Sequence, residues 1–193
     1  MGGIIHATAS GQGTINGIDL GGDVTTMEIN NSGTIQSTRT NGDITLTTNK
    51  YDFLRGTTSA NQAANIGSAA AVYSQEEVET LTLNNKSGGK LIGEGDFNPA
   101  LYMRAGEQIV NNDGEISGSR KIVSGAGTLQ SPYIYSYGMA IGSVSDGGEV
   151  RTLHLKNSED GVINGAILGV NANAYRWYAL SNFNIHGYHL HRQ

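Results

Sequence analysis

The stretch INNSGTI, residues 29–35, has the composition of a tight turn between the ends of two strands. Asn tolerates the left-handed conformation and bonds its own backbone, and Gly accepts positive φ, so Asn followed by Gly is typical of turns. Variants of the stretch return along the chain. The clearest copies begin at Val24, Val78 and Val150, and weaker copies begin at Gln108 and Ala9. Each copy has alternating strand-like residues, then Asn, a Gly turn and an apolar residue.

The spacing of the copies predicts a repeat architecture. Their Gly-x-Ile/Leu units begin at Gly13, Gly33, Gly89, Gly114 and Gly161. The intervals between these glycines are 20, 56, 25 and 47 residues. Periods of about 20 to 50 residues mark solenoids, and about eight coils are expected here. The intervals of 20 and 25 fit one turn each, 47 fits two turns, and 56 fits two turns plus an insertion.

The same alignment predicts three rows of stacked side chains, because each coil must bury its apolar face against the next. One inward ladder comprises Ile15, Ile35, Ile116 and Ile163. A second, just before the turn, comprises Leu83, Val110 and Leu155. A row of turn asparagines, able to hydrogen-bond from coil to coil, comprises Asn31, Asn85, Asn112 and Asn157. We therefore expect one all-β domain over residues 1–193, a parallel β-helix (β-solenoid). An antiparallel sandwich with Asn-Gly hairpins is the alternative.

Three segments interrupt the repeat and are expected to leave the coil. Residues 51–77 are predicted to be an insertion, either a short Ala-rich helix or an excursion loop. Residues 127–142 are predicted to be a second excursion loop. Residues 171–193 are aromatic-rich and are predicted to cap the last coil, because a solenoid end must be covered.

Composition excludes several classes of protein. The 28 glycines with only 2 prolines argue against a disordered linker and against collagen. The absence of cysteine excludes disulfide scaffolds, thiol catalysis and Cys-ligated zinc. A net charge of −5 without clustered basic residues argues against nucleic acid as a partner. No apolar run is long enough for a membrane helix, so this segment is not expected to insert into a membrane.

The chain offers little that resembles a catalytic or metal site. A Gly-x-Ser-x-Gly elbow is missing, and the paired carboxylates Glu94/Asp96 and Asp113/Glu115 lie beside glycines, as solvated turn residues do. The histidine cluster His186, His189 and His191 has no acidic or Cys partner nearby in sequence. We therefore predict no catalytic residue, no metal, no cofactor and no enzymatic activity.

The tyrosines of SPYIYSYG are the candidate binding residues. Tyr133, Tyr135 and Tyr137 alternate with other residues, so on a strand all three rings share one face. Exposed, they would form an aromatic platform for a sugar or a partner protein. If they are buried, the rings would fill the core under an insertion. The sequence is compatible with either the exposed or the buried placement.

The copies INNSGTI, VNNDGEISG and LKNSEDGVINGAI resemble the sequence motif that recurs in bacterial autotransporter passenger domains. The resemblance implies a right-handed parallel β-helix and a fragment of a longer secreted protein on the bacterial outer surface. It further implies a non-catalytic adhesin or aggregation-type module that binds a host or bacterial glycan or protein. A self-assembling structural protein that pairs with itself end to end or laterally is the first alternative. A polysaccharide-active protein like a phage tail spike is the second.

Overall fold

The chain folds into β-strands that line up in three sheets. A computed structural model describes residues 2–10, 15–40, 69–75, 78–95, 98–118, 139–144, 152–171 and 174–178. These residues contain no helix. The strands are β1 (Ile4–Ser10), β2 (Ile15–Leu20), β3 (Val24–Asn31), β4 (Thr34–Thr40), β5 (Ala69–Ser74), β6 (Val78–Asn85), β7 (Lys90–Gly95), β8 (Leu101–Met103), β9 (Glu107–Asn112), β10 (Glu115–Ser117), β11 (Met139–Val144), β12 (Thr152–Asn157), β13 (Val162–Asn164), β14 (Ala166–Asn171) and β15 (Ala174–Tyr178).

Every third strand joins the same sheet. Sheet A has the order β1-β4-β7-β10-β13, sheet B the order β2-β5-β8-β11-β14-β15, and sheet C the order β3-β6-β9-β12. All neighbours pair in parallel except β14 and β15, which are antiparallel. The predicted all-β class with parallel sheets is confirmed, whereas an antiparallel sandwich is wrong. The arrangement is compatible with a β-solenoid, and we call each set of consecutive A, B and C strands a repeat.

The inward side chains form columns that run from repeat to repeat. In sheet A, Ile35 pairs with Leu91, Leu91 with Ile116, and Ile116 with Ile163. In sheet C the column before the turn comprises Ile29, Leu83, Val110 and Leu155. The second predicted ladder is therefore confirmed. The first is correct for Ile35, Ile116 and Ile163, but the prediction omitted Leu91, which lies between Ile35 and Ile116, and misplaced Ile15.

The predicted position of Ile15 is wrong. Ile15 opens β2 in sheet B, where it pairs with Ala69, and the residue opposite Ile35 is Ile5. The error came from aligning Gly13 with Gly33. In the structure the residue equivalent to Gly33 in the first repeat is Gly3. The Gly3 carbonyl accepts a hydrogen bond from the Thr34 amide at 2.9 Å, just as the Gly33 carbonyl accepts one from the Lys90 amide at 2.7 Å.

The turn asparagines stack inside the molecule as predicted. Asn31 Nδ2 donates to Asn85 Oδ1 at 2.8 Å, Asn85 Nδ2 to Asn112 Oδ1 at 2.7 Å, and Asn112 Nδ2 to Asn157 Oδ1 at 2.6 Å. All four side chains are buried. Buried amides are costly unless bonded, so this row holds successive repeats in one register.

The predicted number of turns is wrong. The interval of 56 residues joins β4 directly to its neighbour β7, and the interval of 47 joins β10 directly to its neighbour β13. Each is therefore one repeat rather than two. Sheet A accordingly holds five strands among the described residues, not the eight coils expected. The extra length lies in connections between strands.

Parts of the three predicted interruptions form described strands. Most of 51–77 lies outside the described residues, but Ala69–Ser74 forms β5, with Ala70, Ala71 and Val72 fully buried. Likewise 127–138 lies outside, whereas Met139–Val144 forms β11 of sheet B. In the predicted cap, Ala174–Tyr178 pairs antiparallel with β14, and 179–193 lies outside. The Ala-rich run is strand at its end because small residues fill the narrow interior.

Candidate binding surface

The connections between sheets differ in length according to the edge they cross. In successive repeats the segments that connect sheet C to sheet A are short: Ser32–Gly33, 86–89, 113–114 and 158–161. The segments that connect sheet A to sheet B range from one residue to 28: 11–14, 41–68, 96–100, 118–138 and Gly165. We call this second boundary the A/B edge. Both long connections of the chain therefore leave from and return to the same edge of the stack.

The C-to-A connections are all short, two or four residues, and backbone passes close against backbone there. A Cβ on Gly114 would overlap the carbonyl oxygen of Gly89 and lie 2.8 Å from that of Lys86. A Cβ on Gly161 would likewise overlap the carbonyl oxygen of Asn112. Only glycine allows such an approach. The two longest connections, 41–68 and 118–138, are both at the A/B edge, and lengthening a connection costs little free energy.

A buried polar layer lies beneath the A/B edge. Ser37 Oγ donates to Asn98 Oδ1 at 2.8 Å, and Asn98 Nδ2 donates to the carbonyls of Ser37 at 2.9 Å and Glu94 at 3.0 Å. Arg39, two residues along β4, is also fully buried. These bonds tie Asn98, in the connection after β7, to the middle of β4 and to the end of β7.

An exposed polar cluster lies on the outer face of sheet A, close to this edge. The Thr38 hydroxyl donates to Glu94 Oε2 at 3.2 Å and accepts from Gln36 Nε2 at 3.2 Å. Gln36 Nε2 also donates to Glu94 Oε2 at 2.7 Å, and His6 Nε2 lies 2.9 Å from Thr38 Oγ1. We call His6, Gln36, Thr38 and Glu94 the sheet A cluster. It spans three adjacent strands, β1, β4 and β7.

The order of groups in the sheet A cluster suits binding better than nucleophilic catalysis. In a catalytic triad the imidazole lies between the hydroxyl and the carboxylate, so that it can take the hydroxyl proton. Here the hydroxyl of Thr38 lies between the imidazole of His6 and the carboxylate of Glu94. What the cluster offers is a group of polar side chains held by hydrogen bonds to one another on the outer face of sheet A.

The outer face of sheet B carries an aromatic pair that the sequence patterns did not identify. The rings of Tyr73 and Tyr102 stack with centroids 5.7 Å apart and an interplanar angle of 7°. Desolvation by burial raises the pKa of Tyr102 to about 12, partly opposed by nearby Arg104. Tyr73 was missed because it fell in the predicted insertion. The signal was present in AVYS and LYM, where each Tyr alternates with buried residues.

The sequence-predicted candidates have different outcomes. Tyr133, Tyr135 and Tyr137 lie outside the described residues, as do Asp96 and the C-terminal histidines. Glu94 belongs to the sheet A cluster. Glu115 accepts a hydrogen bond from Ser117 at 2.7 Å and lies 3.6 Å from Lys90 Nζ. Among the residues described, no three His, Cys, Asp or Glu side chains are grouped as a metal would require.

Searches against known protein families, curated proteins and solved structures found no match to the chain. Within the described part, no helix is long and apolar enough to span a membrane.

Proposed function

We propose that this chain is part of a right-handed parallel β-helix that acts as a non-catalytic binding module on the outer surface of a bacterium. The ligand is a glycan or protein of a host or bacterial surface. The regular A, B, C succession of parallel strands supports the helical path. Right-handedness is supported by the strong general preference of parallel crossover connections.

The observation that carries this proposal is the concentration of chain-length variation on one edge. Connections 41–68 and 118–138 depart from β4 and β10, which are separated in sheet A only by β7. Strands in a sheet lie about 4.8 Å apart, so β4 and β10 lie on the order of 10 Å apart. Binding residues commonly lie on loops held by a rigid scaffold. Both long connections join strands at the A/B edge, next to the sheet that carries the sheet A cluster.

The resemblance of the turn copies to autotransporter passenger domains supports a cell-surface location and an adhesin or aggregation role. On this proposal the fragment belongs to a longer secreted protein. The tyrosines at 133, 135 and 137 belong to the connection 118–138 and stay candidate ligand-binding residues. The sheet A cluster adds polar groups suited to sugar hydroxyls, and the ligand class we favour is therefore a glycan.

Glycan-array binding and adhesion to cells test the proposal. Thr38→Val and Glu94→Gln remove the central hydroxyl and charge of the sheet A cluster, and we expect at least tenfold weaker glycan binding. Thr82→Val is the matched control, because Thr82 lies outward on β6 in sheet C. Replacing 41–68 with a short Gly-Ser link should also weaken binding while leaving the fold cooperative.

Two outcomes would contradict the proposal. One is glycan binding that survives both cluster variants and the shortened connection. The other is cleavage of the bound glycan, since product formation would indicate a polysaccharide-active protein instead.

A further inference from the structure

The stack of Tyr73 on Tyr102 directs the second face of the Tyr73 ring toward an exposed carboxylate. In sheet B the strand β5, which carries Tyr73, lies between β8, which carries Tyr102, and β2. Because Tyr102 lies against one face of the Tyr73 ring, the opposite face is directed toward β2. The residue of β2 that pairs with Tyr73 is Asp19. Asp19 is exposed, so solvent reaches the carboxylate beside this ring face.

Two side-chain amides hold the carboxylate of Asp19. Asn16 Nδ2 donates to Oδ2 at 3.1 Å, and Gln75 Nε2 donates to Oδ1 at 3.3 Å. Gln75 directly follows β5, so its bond joins β2 to the strand that carries Tyr73. A carboxylate oxygen has two lone pairs, so each oxygen of Asp19 can accept one further hydrogen bond. None of these contacts involves the outer edge of β2, so the arrangement holds whatever chain precedes the sequence.

A second exposed carboxylate has similar amide partners but no aromatic ring opposite it. Glu28 Oε1, on the outer face of β3, accepts from Asn30 Nδ2 at 2.9 Å and from Asn84 Nδ2 at 3.1 Å. The residue of β6 that pairs with Glu28 is Thr82. Of these two carboxylates, only that of Asp19 therefore combines oxygens held by amides with the face of an aromatic ring.

We infer that Asp19 and Tyr73, with the amides of Asn16 and Gln75, form a second glycan-binding site, the sheet B site, whose ligand is a neutral pyranose sugar. The inference rests on the proposed function, to which it adds a location and a class of sugar. The C–H groups on one side of a pyranose ring pack against the negative face of an aromatic ring. Two neighbouring hydroxyls of that sugar donate to the two oxygens of Asp19. An acidic sugar is disfavoured, because its carboxylate would lie close to that of Asp19.

Titration of the full chain with the methyl glycosides of glucose, galactose and mannose, followed by NMR, tests this inference. We expect the native chain to bind at least one of them, and Asp19→Asn and Tyr73→Leu each to weaken that binding at least tenfold. Glu28→Gln is the matched control, because it removes the charge of a carboxylate that is held by amides but has no ring opposite it. It should leave the binding unchanged. The methyl glycoside of glucuronic acid should bind at least tenfold more weakly than the neutral sugar.

Further variants separate the sheet B site from folding and from the sheet A cluster. Asp19 is exposed, so Asp19→Asn should leave urea unfolding unchanged and test binding without a change in packing. Thr38→Val should leave binding of the neutral sugar unchanged.

Three outcomes would overturn the inference and leave the proposed function standing. The first is neutral-sugar binding that survives Asp19→Asn or falls equally with Glu28→Gln. The second is binding that is lost with Thr38→Val but not with Asp19→Asn, which would assign the ligand to the sheet A cluster. The third is a native chain that binds glycans on an array but none of the three neutral glycosides. A native chain that binds no glycan of either kind would contradict both proposals.

Discussion

The side-chain amide of Asn85 donates a hydrogen bond to Oδ1 of Asn112, 2.7 Å away, and both side chains are fully buried. The two central asparagines of the row, Asn85 and Asn112, each accept from the asparagine of the preceding repeat and donate to that of the next. The donors also reach backbone carbonyls at the start of sheet A, such as that of Glu115 at 3.1 Å from Asn85 Nδ2. The row therefore joins the turn within a repeat to the pairing between repeats.

Replacing Asn112 with Ala should destabilise the protein by about 2 to 3 kcal/mol. The change removes the bonds to Asn85 and Asn157, and the buried Oδ1 of Asn157 loses the only donor described for it, whereas Asn85 Nδ2 keeps the carbonyls of Gly89 and Glu115. Asn111→Ala is the control, since Asn111 is its neighbour on β9 but faces outward and bonds only Asn84 among the contacts described. It should cost under about 1 kcal/mol. Urea unfolding monitored by circular dichroism measures both, and equal costs would contradict a structural role for the row.

Gly114→Ala should destabilise by several kcal/mol, because the added methyl overlaps backbone that cannot move without breaking the pairing of β7 with β10. Gly3→Ala provides the comparison. Gly3 holds the equivalent turn position in the first repeat, yet nothing lies within 4 Å of its would-be Cβ. Its cost should stay within about 0.5 kcal/mol. Thermal and urea unfolding of the two variants would expose an error here if they lost similar stability.

Ile116→Ala should cost about 2 to 5 kcal/mol through loss of buried surface and the cavity left behind. Ile116 is fully buried between Leu91 and Ile163 in the inward column of sheet A. Val162→Ala, one residue before Ile163 but on the outer face, should change stability by less than about 0.5 kcal/mol. The free energies of unfolding from urea titrations should differ clearly. A small effect at Ile116 would mean that the column is not the core.

Stability should fall as the pH rises from about 10 to about 12 because of Tyr102. Burial raises its pKa to about 12 in the folded chain, against 10.0 when exposed, so the unfolded chain loses its proton first. In that range the folded state binds more protons than the unfolded state, and raising the pH favours unfolding. The loss attributable to Tyr102 is at most about 3 kcal/mol, from roughly 1.4 kcal/mol per pKa unit.

Tyr102→Phe isolates this contribution, since Phe keeps the stacked ring beside Tyr73 but cannot ionise. Urea unfolding of both proteins at pH 9 and pH 11.5 gives the measurement. The drop in stability between the two pH values should be smaller in the variant. Identical drops would show that the Tyr102 hydroxyl is not desolvated.

The sequence by itself determined the C-to-A turn and the columns around it. At this turn Asn must reverse the chain and hydrogen-bond to the asparagines of neighbouring repeats, and Gly must allow two backbone segments to lie in close contact. Asn31, Gly33 and their copies therefore recur along the sequence. The all-β class, the Asn row and the column of Leu83, Val110 and Leu155 were predictable for that reason. The chemical requirements of the turn are the same in each repeat, so the same residue types occur there.

Only the tertiary structure decided how many repeats the chain makes and which strands meet. Lengthening a connection costs little free energy, so the A/B connections differ widely in length. The length of an interval, 47 or 56 residues, therefore does not indicate how many turns it contains. Ile5 rather than Ile15 stands opposite Ile35 because strand pairing sets the register, and both residues have equally apolar side chains. The contact between Tyr73 and Tyr102 likewise arises from the pairing of β5 with β8, whose residues lie far apart in sequence but adjacent in sheet B.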